Sequence, residues 1–246
     1  PEHFTDYRHL GARRHDFLLA AATCLRHQGR LPDADRMYRM LQREIGLTDP
    51  HLAEVLAGRA DVAYAAGDYN QALQLLRAAT YVPEQNLVLQ ARVATLGARI
   101  NARLNIGTAL RMFQKTEENF PGIDGSVGAN LQFWYGDTLM IAGEYERSMD
   151  KLVRSYDLAR EAEATVTLAD SMRRLPLVRA LMGHVDHSIK AIHDIQSARD
   201  LYQLAGDRGE VYLHTEAGEV FRSLGKWREA EDEFQRGVWG SRDIGD

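Results

Sequence analysis

The chain has one cysteine, four lysines among its 30 basic residues, and no long apolar run. Cys24 cannot form an internal disulfide, which agrees with a reducing compartment. Charges and glycines break every apolar stretch well before the roughly 18 residues that a membrane span requires. The N-terminus also lacks a basic segment followed by an apolar one, so a cytoplasmic protein is expected. No glycine run leads into a lysine and a hydroxyl, which excludes a phosphate-binding loop, and no HExxH is present. Period-two alternation of β-branched residues is missing too, so sheet does not compete with helix. The net charge of -5 gives no reason for nucleic acid to be an obligatory partner. The low lysine share reflects a GC-rich genome rather than chemistry. The start at Pro1 reads as processing, or as excision from something longer.

What remains is a composition of 45% hydrophobic and 26% charged residues, that of a soluble globular protein with enough chain to bury a core. It is organised as a repeat. Aligned on a turn glycine, six segments match: "HQGRLPDADRMYRML" at Gly29, "AAGDYNQALQLLRAA" at Gly67, "ARLNIGTALRMFQKT" with Leu104 in the glycine's place, "IAGEYERSMDKLVRS" at Gly143, "LMGHVDHSIKAIHDI" at Gly183 and "SLGKWREAEDEFQRG" at Gly225. The anchors lie 38, 37, 39, 40 and 42 residues apart. A glycine that accepts positive φ ends one helix and opens the turn to the next. Two residues later an apolar side chain (Leu31, Tyr69, Ile106, Tyr145, Val185, Trp227) can wedge between the paired helices. A small residue follows (Ala34, Ala72, Ala109, Ser148, Ser188, Ala230), allowing the backbones to approach. One helical turn further, a bulky one (Tyr38, Leu76, Phe113, Leu152, Ile192, Phe234) fills the core. Seven residues before most anchors stands another small residue: Ala22, Ala60, Gly97, Gly136 or Gly218. Each unit is thus a helical hairpin that must stack on its neighbours to cover its apolar face.

The pattern resembles the tetratricopeptide repeats, most fully in the third unit, with Leu96 and Gly97, Ala109 and Phe113, and Pro121 where that family often closes a repeat. The resemblance implies an all-α, right-handed superhelical solenoid of six antiparallel hairpins. These form one domain over 1–246, with units at about 12–48, 50–84, 86–121, 126–163, 166–205 and 208–246. The long spacing is similar to the extended repeats of bacterial signal-transducing ATPase regulators. Pro176 replaces the small residue of the fifth unit and is expected to kink the helix or delay its start.

Chemistry is hard to find. "GIDGSVGAN", residues 122–130, reads as a flexible connector. His184, His187 and His193, near Asp186 and Asp194, read as solvated rather than metal-binding. Cys24, one helical turn from His27, reads as a core filler rather than a nucleophile. Arg173 and Arg174 have two readings, an inter-repeat ion pair or a fork onto a ligand's carboxylate or phosphate. Of the adjacent Phe133, Trp134 and Tyr135, helical geometry sends Trp134 toward the groove if its neighbours are core.

In relatives the first helices of successive units line the binding face. Carried across, the resemblance offers Asp61, Tyr64, Asn101, Asn130, Trp134, Asp137, Arg173, Arg174, Tyr212 and Glu216 as groove candidates, with Asp16, Thr23, Arg26 and Glu54 beside them. The lysine and asparagine set of chaperone-binding members is absent, because its positions hold Leu19, Thr23, Gly58, Ala91 and Thr95. Acidic groups in the second and sixth units and the arginine pair in the fifth suggest an extended partner carrying both signs. The expectation is a non-enzymatic module, without cofactor or metal, that recognises a protein or peptide segment or a small-molecule effector, as sensor or scaffold of a bacterial regulator. The alternative is an architectural domain that packs against an ATPase or DNA-binding domain, or a self-assembly module that associates through its terminal repeats.

Overall fold

The computed structural model describes residues 13–45, 51–79, 86–183, 188–206 and 209–243. Among them are twelve α-helices and no strand: α1 (Arg13–His27), α2 (Leu31–Glu44), α3 (Leu52–Ala65), α4 (Tyr69–Ala78), α5 (Leu87–Leu104), α6 (Ile106–Asn119), α7 (Gly125–Ile141), α8 (Tyr145–Glu161), α9 (Thr165–Leu181), α10 (Ser188–Ala205), α11 (Gly209–Ser223) and α12 (Trp227–Asp243). They fall into two compact units, Pro1–Arg103 and Leu104–Asp246, described separately below.

The glycine anchors behave as their chemistry requires. Gly29, Gly67, Gly143, Gly183 and Gly225 all have φ between +68° and +81°. At Gly67 the glycine N–H bonds to the Tyr64 carbonyl and the following Asp68 N–H to the Ala63 carbonyl, and the same two bonds recur at Gly29, Gly143 and Gly225. The helix end is closed by its own backbone, and the next helix starts two residues later. Asp68 then caps α4 by accepting from the Gln71 N–H, as Asn105 caps α6 through the Thr108 N–H. The turn from α8 to α9 uses the same closure with Glu163 at φ +53°, a choice that no glycine announces.

In the first unit, consecutive helices pair along the chain from α1 to α4. Ala22 and Ala34 are sealed at the α1/α2 contact beside Leu18, Tyr38 and Leu41. Ala60, Ala72 and Leu76 do the same for α3 and α4, with Leu96 and Ile100 of α5 in the same cluster. In the second unit, α7 and α8 form the tightest pair: a Cβ at Gly136 would stand 2.9 Å from Cγ of the buried Leu152. Ser148 donates to the Gly136 carbonyl at 2.8 Å across that contact. Gly218 and Phe234 repeat the arrangement between α11 and α12.

Several expectations need correction. In the fifth unit the buried positions are Ala191 and Ile195, while Ile192 is only half-buried, so the core face of α10 is rotated from the assigned phase. Val185 and the pair His184 and His187 lie outside the described residues. His193 is exposed, and no group of three metal-ligating side chains occurs among the described residues. Trp227 is 67% exposed instead of wedged. Pro176 is buried inside α9, which neither starts late nor stops there; its missing N–H leaves the Met172 carbonyl without an in-helix donor. Only the beginning of "GIDGSVGAN" is connector, since α7 starts at Gly125 and a Cβ on Gly128 would strike the Ile123 carbonyl. Cys24 is exposed: two residues beyond the sealed Ala22, it points about 200° around the helix.

Candidate functional site

The first helices of successive hairpins touch each other within each unit, α1 with α3, α7 with α9, and α9 with α11. Side chains on these helices therefore meet partners one repeat away. In the first unit Asp61 of α3 lies between Arg26 of α1 at 2.9 Å and Arg99 of α5 at 3.0 Å. Burial alone would push the Asp61 carboxyl up, but Arg26, Arg99 and Arg92 outweigh it and hold the group below the ordinary carboxylate range. The Arg99 guanidinium lies 4.1 Å over the buried Tyr64 ring, and Arg103 Nε donates to the Tyr64 hydroxyl at 3.1 Å. Glu54 and Arg92 form a further pair at 3.1 Å. Asn101 is turned back on its own helix, its amide donating to the Gly97 carbonyl.

The second unit reverses the order of charge. Arg174 of α9 stands between Asp137 of α7 and Glu216 of α11, at 2.8 Å from each. Arg173 is 6% exposed and contacts Asp170, Glu216 and the Tyr202 hydroxyl, which itself donates to Asp170 at 2.6 Å. Burial pushes the Tyr202 phenol up, and Asp170 adds to the effect, so this hydroxyl stays protonated. Trp134 is half-buried, edge-on to the sealed Phe133 at 5.0 Å, while Tyr135 is buried in a parallel stack on Phe113. Asn130, one turn before Trp134, is half-buried, and Tyr212 is 49% exposed one turn before Glu216.

The candidates thus divide. Asp61 and Tyr64 join one cluster and Asp137, Arg173, Arg174 and Glu216 join another, while Asn101, Asn130, Trp134 and Tyr212 lie on the same first helices, α5, α7 and α11. Arg99, Arg103, Asp170 and Tyr202 were missed by sequence reasoning. A signal existed for two of them: Asp61 and Arg99 are 38 residues apart and Tyr64 and Arg103 are 39, one repeat length in each case.

A second surface lies at the end of the second unit. Phe234, Val238, Trp227 and Trp239 of α12, with Arg222 of α11, line an open cleft of about 410 Å³. Trp239 is 61% exposed there. Among the described residues no helix is long and apolar enough to cross a membrane.

No family model matches the chain, and no curated protein does. Solved structures do. BtubC from P. vanneervenii superposes with a TM-score of 0.60 at 16% identity, over 90% of this chain and 92% of that one. The Rap protein complexed with Competence and Sporulation Factor superposes at 0.65 and 11% identity, over 95% of this chain and 78% of that one. Paired helices, glycine closures and these superpositions agree. The fold is that of the tetratricopeptide repeats. At such low identity the likeness extends to the fold, and the two ionic chains described above belong to this sequence.

Proposed function

We propose that the chain is a non-enzymatic recognition module whose first-helix faces bind a protein or peptide segment, as the sensor or scaffold part of a bacterial regulatory protein. One observation carries this reading. Most of the small and bulky residues that repeat are buried in hairpin contacts, whereas the first helices present residues that do not repeat, aromatic and charged, on neighbouring elements: Trp134 on α7, Arg174 on α9, Tyr212 on α11. The Rap protein, of the same fold, is seen complexed with a factor, which supports a binding role without identifying a partner.

The test compares proteins cross-linked to the chain in extract with those cross-linked to Trp134→Ala and Tyr212→Ala, identified by mass spectrometry. Loss of the same partners from both variants, with far-UV circular dichroism unchanged, is expected. An identical partner set for all three proteins would refute recognition through these helices. The α12 cleft favours a second reading, in which the exposed tryptophan face packs against another protein surface, including a second copy.

A further inference from the structure

α12 is packed on one side and open on another. Its buried residues Ala230, Glu233 and Gly237 face α11, where Glu233 meets His214 Nδ1 at 2.6 Å and the Gly237 position lies against Thr215. A second row runs along the helix at every fourth position: Trp227, Glu231, Gln235 and Trp239, with Val238 beside it, all lining the open cleft. Trp227, Val238 and Trp239 are each more than half exposed, whereas the exposed charges Arg228, Glu229, Asp232 and Arg236 lie outside the cleft. Single apolar residues on a surface need no explanation, but two tryptophans and a valine gathered along one cleft mark an interaction surface.

The same flank is covered on another second helix of this unit. Aligned on Gly143 and Gly225, Tyr145, Met149 and Tyr156 of α8 hold the places of Trp227, Glu231 and Val238. There they are half-buried against the core cluster, and α8 packs on α9 of the following hairpin. The flank is thus one that receives a helix. On α12 it differs at its centre, where Glu231 replaces Met149 and Gln235 follows one turn later, so the two apolar ends are separated by a polar pair.

We infer that the helix received here is α12 of a second copy, packed antiparallel about a two-fold axis. The row is complementary to its own reverse: tryptophan, carboxylate, amide, tryptophan, at equal intervals of four. Packing of such rows on each other, the commonest class of helix contact, sets the two rows side by side. Trp227 then lies beside Trp239 of the second copy, and Glu231 accepts from the Gln235 amide of the second copy, each contact made twice by symmetry. A parallel arrangement would instead set the two Glu231 carboxylates against each other. Each copy contributes one helical row about 18 Å long, less than a standard interface, so the dimer is reversible and depends on concentration. The inference rests on the second reading of the α12 cleft, to which it gives a partner and a geometry, and is independent of recognition by the first helices.

Sedimentation equilibrium of the full chain over a concentration series tests it. A monomer–dimer equilibrium without larger species is expected. Trp227→Ser and Trp239→Ser should each weaken it roughly tenfold or more, because symmetry removes every ring twice, with far-UV circular dichroism unchanged. The register is read by cross-linking in a Cys24→Ser background, since Cys24 is exposed. Under mild oxidation a mixture of the Glu231→Cys and Gln235→Cys proteins should link faster than either protein alone. A chain that is monomeric throughout, a dimer indifferent to both tryptophan substitutions, mass that grows past the dimer, or Glu231→Cys that links best to itself would each overturn the inference. If the chain is monomeric while Trp239→Ser strips cross-linked proteins in extract, the second copy falls and the second reading stands with another protein on the cleft. If the dimer forms as expected while Trp134→Ala and Tyr212→Ala keep all their partners, the dimer stands and recognition through the first helices falls.

Discussion

Asp61→Asn separates charge from shape at the centre of the first unit. The amide keeps the volume and one acceptor of the carboxylate, but its NH2 must face one of the two guanidiniums that lie 2.9 and 3.0 Å away. Two ion-pair contacts, each worth about 1.5–3 kcal/mol net, are reduced to a single hydrogen bond from a guanidinium to a neutral amide oxygen. A fully buried pair broken in this way costs about 3–5 kcal/mol. Here Asp61 keeps 14% of its side chain accessible, and water can partly re-solvate the arginines, so a loss of about 2–4 kcal/mol is expected. For a chain of this size that lowers Tm by roughly 5–15 °C. The pH dependence gives the reasoning a second, independent check. Because the folded protein holds the Asp61 carboxyl below its unfolded value, the stabilisation is fully present above about pH 4 and disappears as pH falls through the folded value. Urea midpoints of wild type and variant, measured in steps from neutral pH downward, should therefore converge in acid. A gap below about 0.5 kcal/mol at neutral pH, or one that persists unchanged into acid, would refute the ionic account of this contact.

Phe113 is sealed and stacked on Tyr135 at 5.5 Å and 11° between ring planes, so Phe113→Ala should cost about 3–5 kcal/mol by urea denaturation. A loss under about 1 kcal/mol would mean that the ring does not fill the α6/α7 contact. The α12 cleft, with Trp227 and Trp239 both more than half exposed, is expected to make the chain self-associate with rising concentration in size-exclusion chromatography with light scattering, and Trp239→Ser to shift it toward monomer. A wild type that stays monomeric at every concentration would remove self-association from the second reading.

The turn and the hairpin contact were legible because their causes are local. A glycine at positive φ, a small residue and a bulky one lie within about 15 residues of each other, and one repeat's geometry is imposed on all copies. Where the local cue weakens, the reading slips. The fifth unit has Pro176 in place of its small residue, and α10 buries Ala191 and Ile195 instead of Ile192. Glu163 adopts a left-handed turn with no glycine to mark it. Residue type alone suggests a core position for Cys24, whereas helical phase from the sealed Ala22 places it outside.

The first-helix faces were legible as positions but not as charges, and the reason is physical. Whether a carboxylate is an offer to a ligand or half of an ion pair depends on what stands one repeat away. Asp61 looked like an acidic end of the groove until Arg26 and Arg99 closed on it; Arg173 and Arg174 looked like its basic end until Asp137, Asp170 and Glu216 did. The polarity inferred from single units is therefore replaced by charge pairing once the units stack. In a repeat array the sign of a binding face follows from the sum over neighbouring first helices, so opposite charges at one repeat spacing have to be cancelled before the remainder is read.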